Sequence, residues 1–237
     1  MASSSWQQTD SDGGTMPIYV SAPADAGIFP ALVVIQHQSG VDEFIQSVTQ
    51  RLAAAGFVAA APDLYHRDGP NCQDEMRARS MRLSDRRVIT DVGATVDFLR
   101  RRSNVDGKRI GIIGFCMGGR VVYLMAAANP DFKAAVTFYP GNTGRPWGRD
   151  VPSPFERTAE IYCPIQGHFG DEDKNPAPED RLKLDNALTQ HGKRHEFYAY
   201  ADAGHAFMDN TKPSYRPHAE QAAWPRVLDF LNRYLGG

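Results

Sequence analysis

Six short apolar runs, separated by amphipathic stretches, constrain this chain more than any other feature. The runs are Ala31–Gln36, Val58–Ala61, Arg109–Gly114, Ala134–Tyr139, Ile161–Gly167 and His195–Tyr200. Several are continuously apolar, as strands are when both faces of their sheet are covered. Between them apolar residues recur at helical spacing. Phe44, Ile45, Val48, Leu52 and Ala55 form one stripe, which Gly56 ends. Ile89, Val92, Val96 and Leu99 form a second, with Arg100, Arg101 and Arg102 in its last turn. Cations there suit the helix dipole, and the run reads as a solvated helix end rather than a phosphate site. Leu182, Leu184 and Leu188 mark a third helix, and Val227, Leu228, Leu231 and Leu235 a fourth. Strands alternating with helices predict a mostly parallel, twisted α/β sheet with helices on both faces. The turn signal Asp12-Gly13-Gly14 predicts an antiparallel hairpin ahead of the parallel part. The polar residues 1–11 are expected to be only loosely held.

No repeat or low-complexity linker divides the 237 residues, so one domain over 1–237 is expected. Lys plus Arg number 26 and Asp plus Glu 28, a net charge of −2 that argues against a nucleic-acid binder. No apolar run approaches the ~18 residues of a membrane span, and the polar start predicts no secretory leader. Cys72, Cys116 and Cys163 make neither a disulfide framework nor a metal-ligand spacing, and no C-x-x-C offers a redox pair. A reducing cytoplasm is the expected compartment, with neither metal nor organic cofactor and a monomer as the default.

The chemistry sits in Arg109-Ile-Gly-Ile-Ile-Gly-Phe-Cys-Met-Gly-Gly-Arg120. An apolar strand ends in Gly114-x-Cys116-x-Gly118, and a helical run (Val121, Val122, Leu124, Met125) follows. The same spacing with serine is the nucleophile elbow of α/β-hydrolases. The turn is too tight for side chains on its flanks, hence glycine on both sides. It lifts Cys116 clear of the sheet, beside a helix N-terminus where negative sulfur is favoured. A buried, inert cysteine is the plain alternative.

A thiol nucleophile needs a base, and the base needs a carboxylate to orient it. In this architecture the order is nucleophile, acid, histidine. Phe169-Gly-Asp171-Glu172-Asp173 follows one predicted strand, and Ala203-Gly204-His205-Ala206-Phe207 follows the next. His205 is the base by position. Asp173 is the preferred acid and Asp171 the second choice. The loop Gly141–Pro154 and the polar segment Asp68–Asp85 are expected to flank the site. Tyr65, Tyr139, Trp147, Phe169 and Phe207 sit at strand ends or beside these residues and are expected on its rim.

With these pieces in order, the chain resembles the dienelactone hydrolase (carboxymethylenebutenolidase) family of α/β-hydrolases. The matching pieces are Gly56-Phe-Val-Ala-Ala-Ala-Pro-Asp-Leu-Tyr65, Gly114-Phe-Cys-Met-Gly-Gly119, Phe169-Gly-Asp-Glu-Asp173 and Ala203-Gly-His-Ala-Phe207, with Tyr215, Ala223-Trp224 and Phe230 beyond them. The resemblance runs from about Asp12 to Leu235. It implies the α/β-hydrolase fold, a Cys116-His205-Asp173 triad and an oxyanion hole from the backbone N–H groups of Met117 and Gln38. It also implies a small-molecule ester or lactone substrate, cleaved through an acyl-cysteine.

Two departures stand out. Family members commonly place a glutamate in the first loop, and His37 stands there. Three roles are open to it: hydrogen-bonding the sulfur, binding substrate, or filling space. Dienelactone-cleaving members bind the substrate carboxylate with arginines, and Asp209 stands where one of them is expected. Losing a charge-assisted pair costs ~1.5–3 kcal/mol, so a neutral ester or lactone is expected. Arg77, Arg79 and Arg82 are candidates for the other arginine. Activated phosphorus esters are a conceivable side substrate, and a non-catalytic ligand-binding scaffold is the rival reading.

Overall fold

The computed structural model describes residues 2–69 and 71–236. Eight strands form one sheet: β1 (Ser3–Ser11), β2 (Gly14–Ala22), β3 (Phe29–Ile35), β4 (Val58–Pro62), β5 (Val105–Phe115), β6 (Phe132–Phe138), β7 (Ile165–Gly170) and β8 (His195–Tyr200). Their spatial order is β1-β2-β4-β3-β5-β6-β7-β8. The first two form an antiparallel hairpin, β2 pairs antiparallel with β4, and every later neighbour is parallel. Six helices lie between or after the strands: α1 (Glu43–Ala54), α2 (Met76–Ser80), α3 (Asp85–Arg100), α4 (Met117–Ala128), α5 (Pro178–Gln190) and α6 (Pro217–Leu235).

The helices build a core on each face of the sheet. On one face α1 and α6 set Phe44, Ile45, Val48, Leu52, Val227, Phe230 and Leu231 against Leu32, Val34, Ile113 and Val136. On the other, α3, α4 and α5 set Val88, Val92, Val96, Val121, Met125, Leu184 and Leu188 against Val33, Ile112, Ala135 and Ile165. Alternate residues of each strand therefore serve opposite cores, as the two-residue period of a strand requires. The helical stripes are as expected except at Leu182, which lies exposed at the start of α5 while Leu184 and Leu188 carry the contact.

Two boundaries differ from the sequence reading. Residues 3–11 are not loose: they form β1, in register with β2 from Ser3↔Ala22 to Ser11↔Gly14. Side chains from α3 hold this edge, since Arg102 donates to Gln7, Arg101 to Thr9 and the Ser11 hydroxyl to Asp91. The arginine run is therefore partly used to pin the hairpin. The strand expected over Ile161–Gly167 is β7, Ile165–Gly170. A 3-10 turn fills Phe155–Glu160, and Pro164 supplies only a carbonyl, which accepts from Ala135 N–H. Ile161 and Cys163 are apolar because they close the end of a core.

The chain runs from β3 outward to β4, then returns past β3 to β5. The strand order thus reverses between β3 and β5, and the carboxyl ends at such a switch point leave a crevice. The loop after β3 and the Cys116 turn after β5 meet there.

Candidate active site

The turn after β5 is built by close approach of backbones. Cys116 has φ 56° and ψ −116°, in the region L-residues rarely occupy. Such strain persists only where the surroundings over-determine it. Here backbones press in from three sides. A Cβ on Gly118 would lie 2.5 Å from Ile35 O and 2.6 Å from Gln36 O. One on Gly119 would lie 2.6 Å from Phe138 O, and one on Gly114 would overlap Gly118 O. The glycines let α4 start directly against β3 and β6, and Cys116 N–H donates to Phe138 O at 3.0 Å.

His205 reaches this turn from the loop after β8. Its Nδ1 lies 2.8 Å from Asp173 Oδ2, and the Asp173 side chain is almost fully buried. Asp173 Oδ1 accepts from Asn175 N–H at 2.9 Å, so both carboxylate oxygens are held. Asp171, the alternative acid, points away and takes Arg181 at 3.0 Å. The His205 loop folds over the end of β7, where Gly170 has no side chain to meet Ala203 O. Burial works to lower the His205 pKa, but the hydrogen bond to Asp173 and the neighbouring Cys116 sulfur outweigh it. The result is an imidazole raised to about 10.

Cys116 and His205 line one cleft of about 650 Å³. Gln38 and Met117 line it too, and their backbone N–H groups have no hydrogen-bond partner among the described residues. The facing wall is Ser80, Met81 and Leu83 from the α2 segment, and Asn142, Arg145 and Trp147 from the loop after β6. Both segments marked in the sequence as flanking do flank.

Of the six near-site residues expected, Trp147 alone lines the cleft. Tyr139 is buried beneath it, with its ring 5.0 Å from the His205 ring, and Phe207 packs under Tyr139 at 5.3 Å. Phe169 points into the opposite core against Phe197, because alternate residues of β7 face opposite sides. Tyr65 stands behind the oxyanion loop, and its hydroxyl donates to Gln38 O at 2.9 Å. His37 is buried; its Nε2 lies 2.7 Å from Asp42 Oδ2, and it makes no hydrogen bond to Cys116.

The charge argument drawn from Asp209 is corrected by its position. Asp209 is fully buried, outside the cleft, and binds Thr211 through Oδ1. It neither repels nor holds a substrate. Arg79 and Arg82 are also unavailable, since both bond to Asp68. The arginine that lines the cleft is Arg145, which sequence reasoning missed. Its guanidinium makes no ion pair among the described residues, and its side chain is exposed.

A buried pair behind the wall was missed as well. Arg120, fully buried in the first turn of α4, donates to both oxygens of Asp85 at 2.6 and 3.0 Å. It also donates to Arg145 O at 2.6 Å and lies 3.8 Å over the Trp147 ring. Asp85 Oδ2 accepts from Trp147 N–H, and Asp85 N–H donates to Trp147 O. The helix that follows Cys116 thus holds the loop that faces Cys116 across the cleft. No group of three His, Cys, Asp or Glu side chains among the described residues is arranged to hold a metal. No described helix is long and apolar enough to cross a membrane.

A cleft at the switch point of a mixed sheet, beneath an elbow and two histidine- and acid-bearing loops, defines the α/β-hydrolase fold. The model of the dienelactone hydrolase family matches residues 16–235. A Methylorubrum extorquens protein named "Putative carboxymethylenebutenolidase" is 36% identical over 228 residues, covering 93% of this chain and 78% of the relative. A Bradyrhizobium protein named "Probable 2-oxo-3-(5-oxofuran-2-ylidene)propanoate lactonase" is 32% identical, covering 98% of this chain and 95% of that one. The crystal structure of a Klebsiella pneumoniae protein described as a "Putative Dienelactone Hydrolase" superposes with TM-score 0.91 at 30% identity, covering 99% of this chain and 100% of that one. The chain belongs to the dienelactone hydrolase family and is a hydrolase.

Proposed function

We propose that this hydrolase cleaves carboxylic esters or lactones through an acyl-cysteine on Cys116. The observation that carries the reading is the shared cleft of Cys116 and His205, with His205 held by the buried Asp173. The Cys116 thiolate attacks the carbonyl carbon. The N–H groups of Gln38 and Met117 meet the oxyanion, and a donor of this kind commonly contributes ~2.7–4 kcal/mol. As the tetrahedral species collapses, the C–O bond breaks and imidazolium His205 gives its proton to the leaving alkoxide. Neutral His205 then takes a proton from water. Hydroxide adds to the thioester, the carboxylic acid departs, and thiolate and imidazolium are restored. Asp173 keeps the imidazole oriented throughout. No step calls on a metal or organic cofactor, and the partner is a small molecule.

A neutral ester or lactone needs nothing beyond these groups, and Arg145 adds a place for an acidic group on the substrate. The same thiolate can attack an activated neutral phosphorus triester, forming an S–P bond and expelling an aryloxide, as a side activity. Peptide mapping of acid-quenched reactions with a p-nitrophenyl ester tests the main reading. The expected adduct is one acyl group on the Cys116 peptide, and an acyl group on any other residue would overturn it. A phosphotriester turned over equally well by Cys116→Ala would remove the side activity.

A further inference from the structure

We infer that His37 is a positioning residue: a buried strut that ties the turn carrying the Gln38 N–H to the start of α1. The inference rests on the acyl-cysteine reading above, and it gives the buried histidine of the first loop a role.

His37 immediately precedes Gln38, whose N–H is the proposed oxyanion donor. Its backbone carbonyl accepts from Gly40 N–H at 3.1 Å, closing a tight turn around Gln38. The Tyr65 hydroxyl holds this turn on one side by donating to Gln38 O at 2.9 Å. The imidazole holds it on another by reaching Asp42. Nε2 lies 2.7 Å from Oδ2 of Asp42, while Oδ1 of the same carboxylate caps α1 by accepting from Ile45 N–H at 3.2 Å. Asp42 is thereby held by a helix on one side and by His37 on the other. Burial would raise the Asp42 pKa, but the bond to His37 and its charge outweigh that and hold the carboxyl below its ordinary range.

On the opposite edge of the ring, Nδ1 faces Asp209 Oδ2 at 3.9 Å. Asp209 follows His205 by four residues and is fully buried. Its Oδ1 is engaged by Thr211, whereas Oδ2 has no hydrogen-bond partner among the described residues. At 3.9 Å the contact is beyond hydrogen-bond reach, so this ring edge packs against the Asp209 loop without being bonded to it. Phe44 closes the remaining side, with its ring 5.7 Å from the imidazole. The turn around Gln38 is therefore braced on the start of α1 through one side chain.

This placement separates His37 from the sulfur. Loosening the strut moves the Gln38 N–H, which matters once an oxyanion forms, and leaves the Cys116–His205–Asp173 contacts intact. The two halves of the site can be read apart. Alkylation of Cys116 by iodoacetamide needs the thiolate and no oxyanion donor. Acylation by p-nitrophenyl acetate needs both.

The test is to measure both rates in wild type, His37→Ala and Asp42→Asn, with Cys116→Ala as the reference. Asn at 42 retains a good helix cap, so this variant decides the matter should His37→Ala fail to fold. Removal of an oxyanion donor costs about 10²–10³ in rate, and a displaced donor costs part of that. The expected result is an acylation rate lowered about tenfold or more in both variants, with alkylation within about twofold of wild type. Their double variant is expected to lose no more than the worse single one, because both cut the same strut. Acylation at the wild-type rate in both variants would overturn the inference. So would a parallel fall of acylation and alkylation, which would mark His37 as a group acting on the sulfur or on the fold. Acylation that persists in Cys116→Ala would instead bring down the acyl-cysteine reading on which the strut depends.

Discussion

The Cys116 elbow and the wall across the cleft from it are held by opposite means. At the elbow backbones touch backbones: Gly114, Gly118 and Gly119 lie against carbonyl oxygens with no room for a methyl group. At the wall side chains hold side chains and loops, through Arg120, Asp85 and the Trp147 ring. Met81 and Arg145 end that wall in exposed side chains. The difference teaches which part of such an enzyme can vary. A site made by close backbone approach has no gradual alternatives, so its chemistry is fixed. A wall made of exchangeable side chains can change its substrate one residue at a time while the elbow stays as it is.

The largest effect should come from putting a methyl group into the elbow. Gly118→Ala places a Cβ against Ile35 O and Gln36 O and must displace the oxyanion loop. Misplacement by about 1 Å can cost ~100-fold in rate, so a loss of that size in kcat is expected, with the fold checked by circular dichroism. A near-normal kcat would break the comparison at its firmer end.

Next comes the buried pair behind the wall. Arg120→Met or Asp85→Leu alone leaves a buried charge without its partner, which costs ~3–5 kcal/mol. Replacing both together should cost less than either single change, as read from denaturant unfolding. KM should rise as the Arg145–Trp147 loop loosens, while Cys116 alkylation stays unchanged. Loss of alkylation would mean that elbow and wall are one unit.

A pH-dependent effect is expected at Asp173. The hydrogen bond that His205 Nδ1 donates to Asp173 helps raise its imidazole to about 10 from an ordinary 6.5. The imidazolium needed as general acid should therefore persist until the pH nears 10, and the alkaline limb of kcat/KM should lie there. In Asp173→Asn that limb should move down. The sign for stability follows, because the folded-state value is raised. The contribution is fully present below about pH 6.5 and is lost as pH climbs through about 10. Thermal unfolding of wild type and Asp173→Asn should converge at the alkaline end. An alkaline limb that does not move would dissociate Asp173 from His205.

The smallest effect belongs to Arg145. Arg145→Gln should raise KM about tenfold for an ester bearing a free carboxylate, the size expected from one charge-assisted hydrogen bond. KM for the uncharged analogue should stay the same. Equal effects on both substrates would make Arg145 a structural part of the wall.

The same division explains what the sequence made legible. The parallel sheet, the elbow and the order Cys116, Asp173, His205 rest on apolar runs, glycine spacing and loop position, all of which are local signals. The preference for Asp173 over Asp171 comes from spacing alone, and the coordinates give its physical reason: Asp173 bonds His205 while Asp171 is drawn off by Arg181. Phe169 is not on the rim because β7 runs on to Gly170, past the end its apolar pattern suggests, and inside the strand its ring faces the far core. Asp209 looked like a specificity residue from its distance to His205, but the loop turns it inward toward His37. Arg145 and the Arg120–Asp85 pair left no local signal at all. They meet across 25 to 60 residues of chain, and only the fold brings α3, α4 and the loop after β6 together.

The central claim is that Cys116 carries the acyl group. Pre-steady-state hydrolysis of a neutral p-nitrophenyl ester, wild type against Cys116→Ala, tests it most directly. The account predicts a burst of one p-nitrophenol per chain followed by turnover, with both absent in Cys116→Ala. Turnover by Cys116→Ala at the wild-type rate would contradict it and leave the elbow without a chemical role.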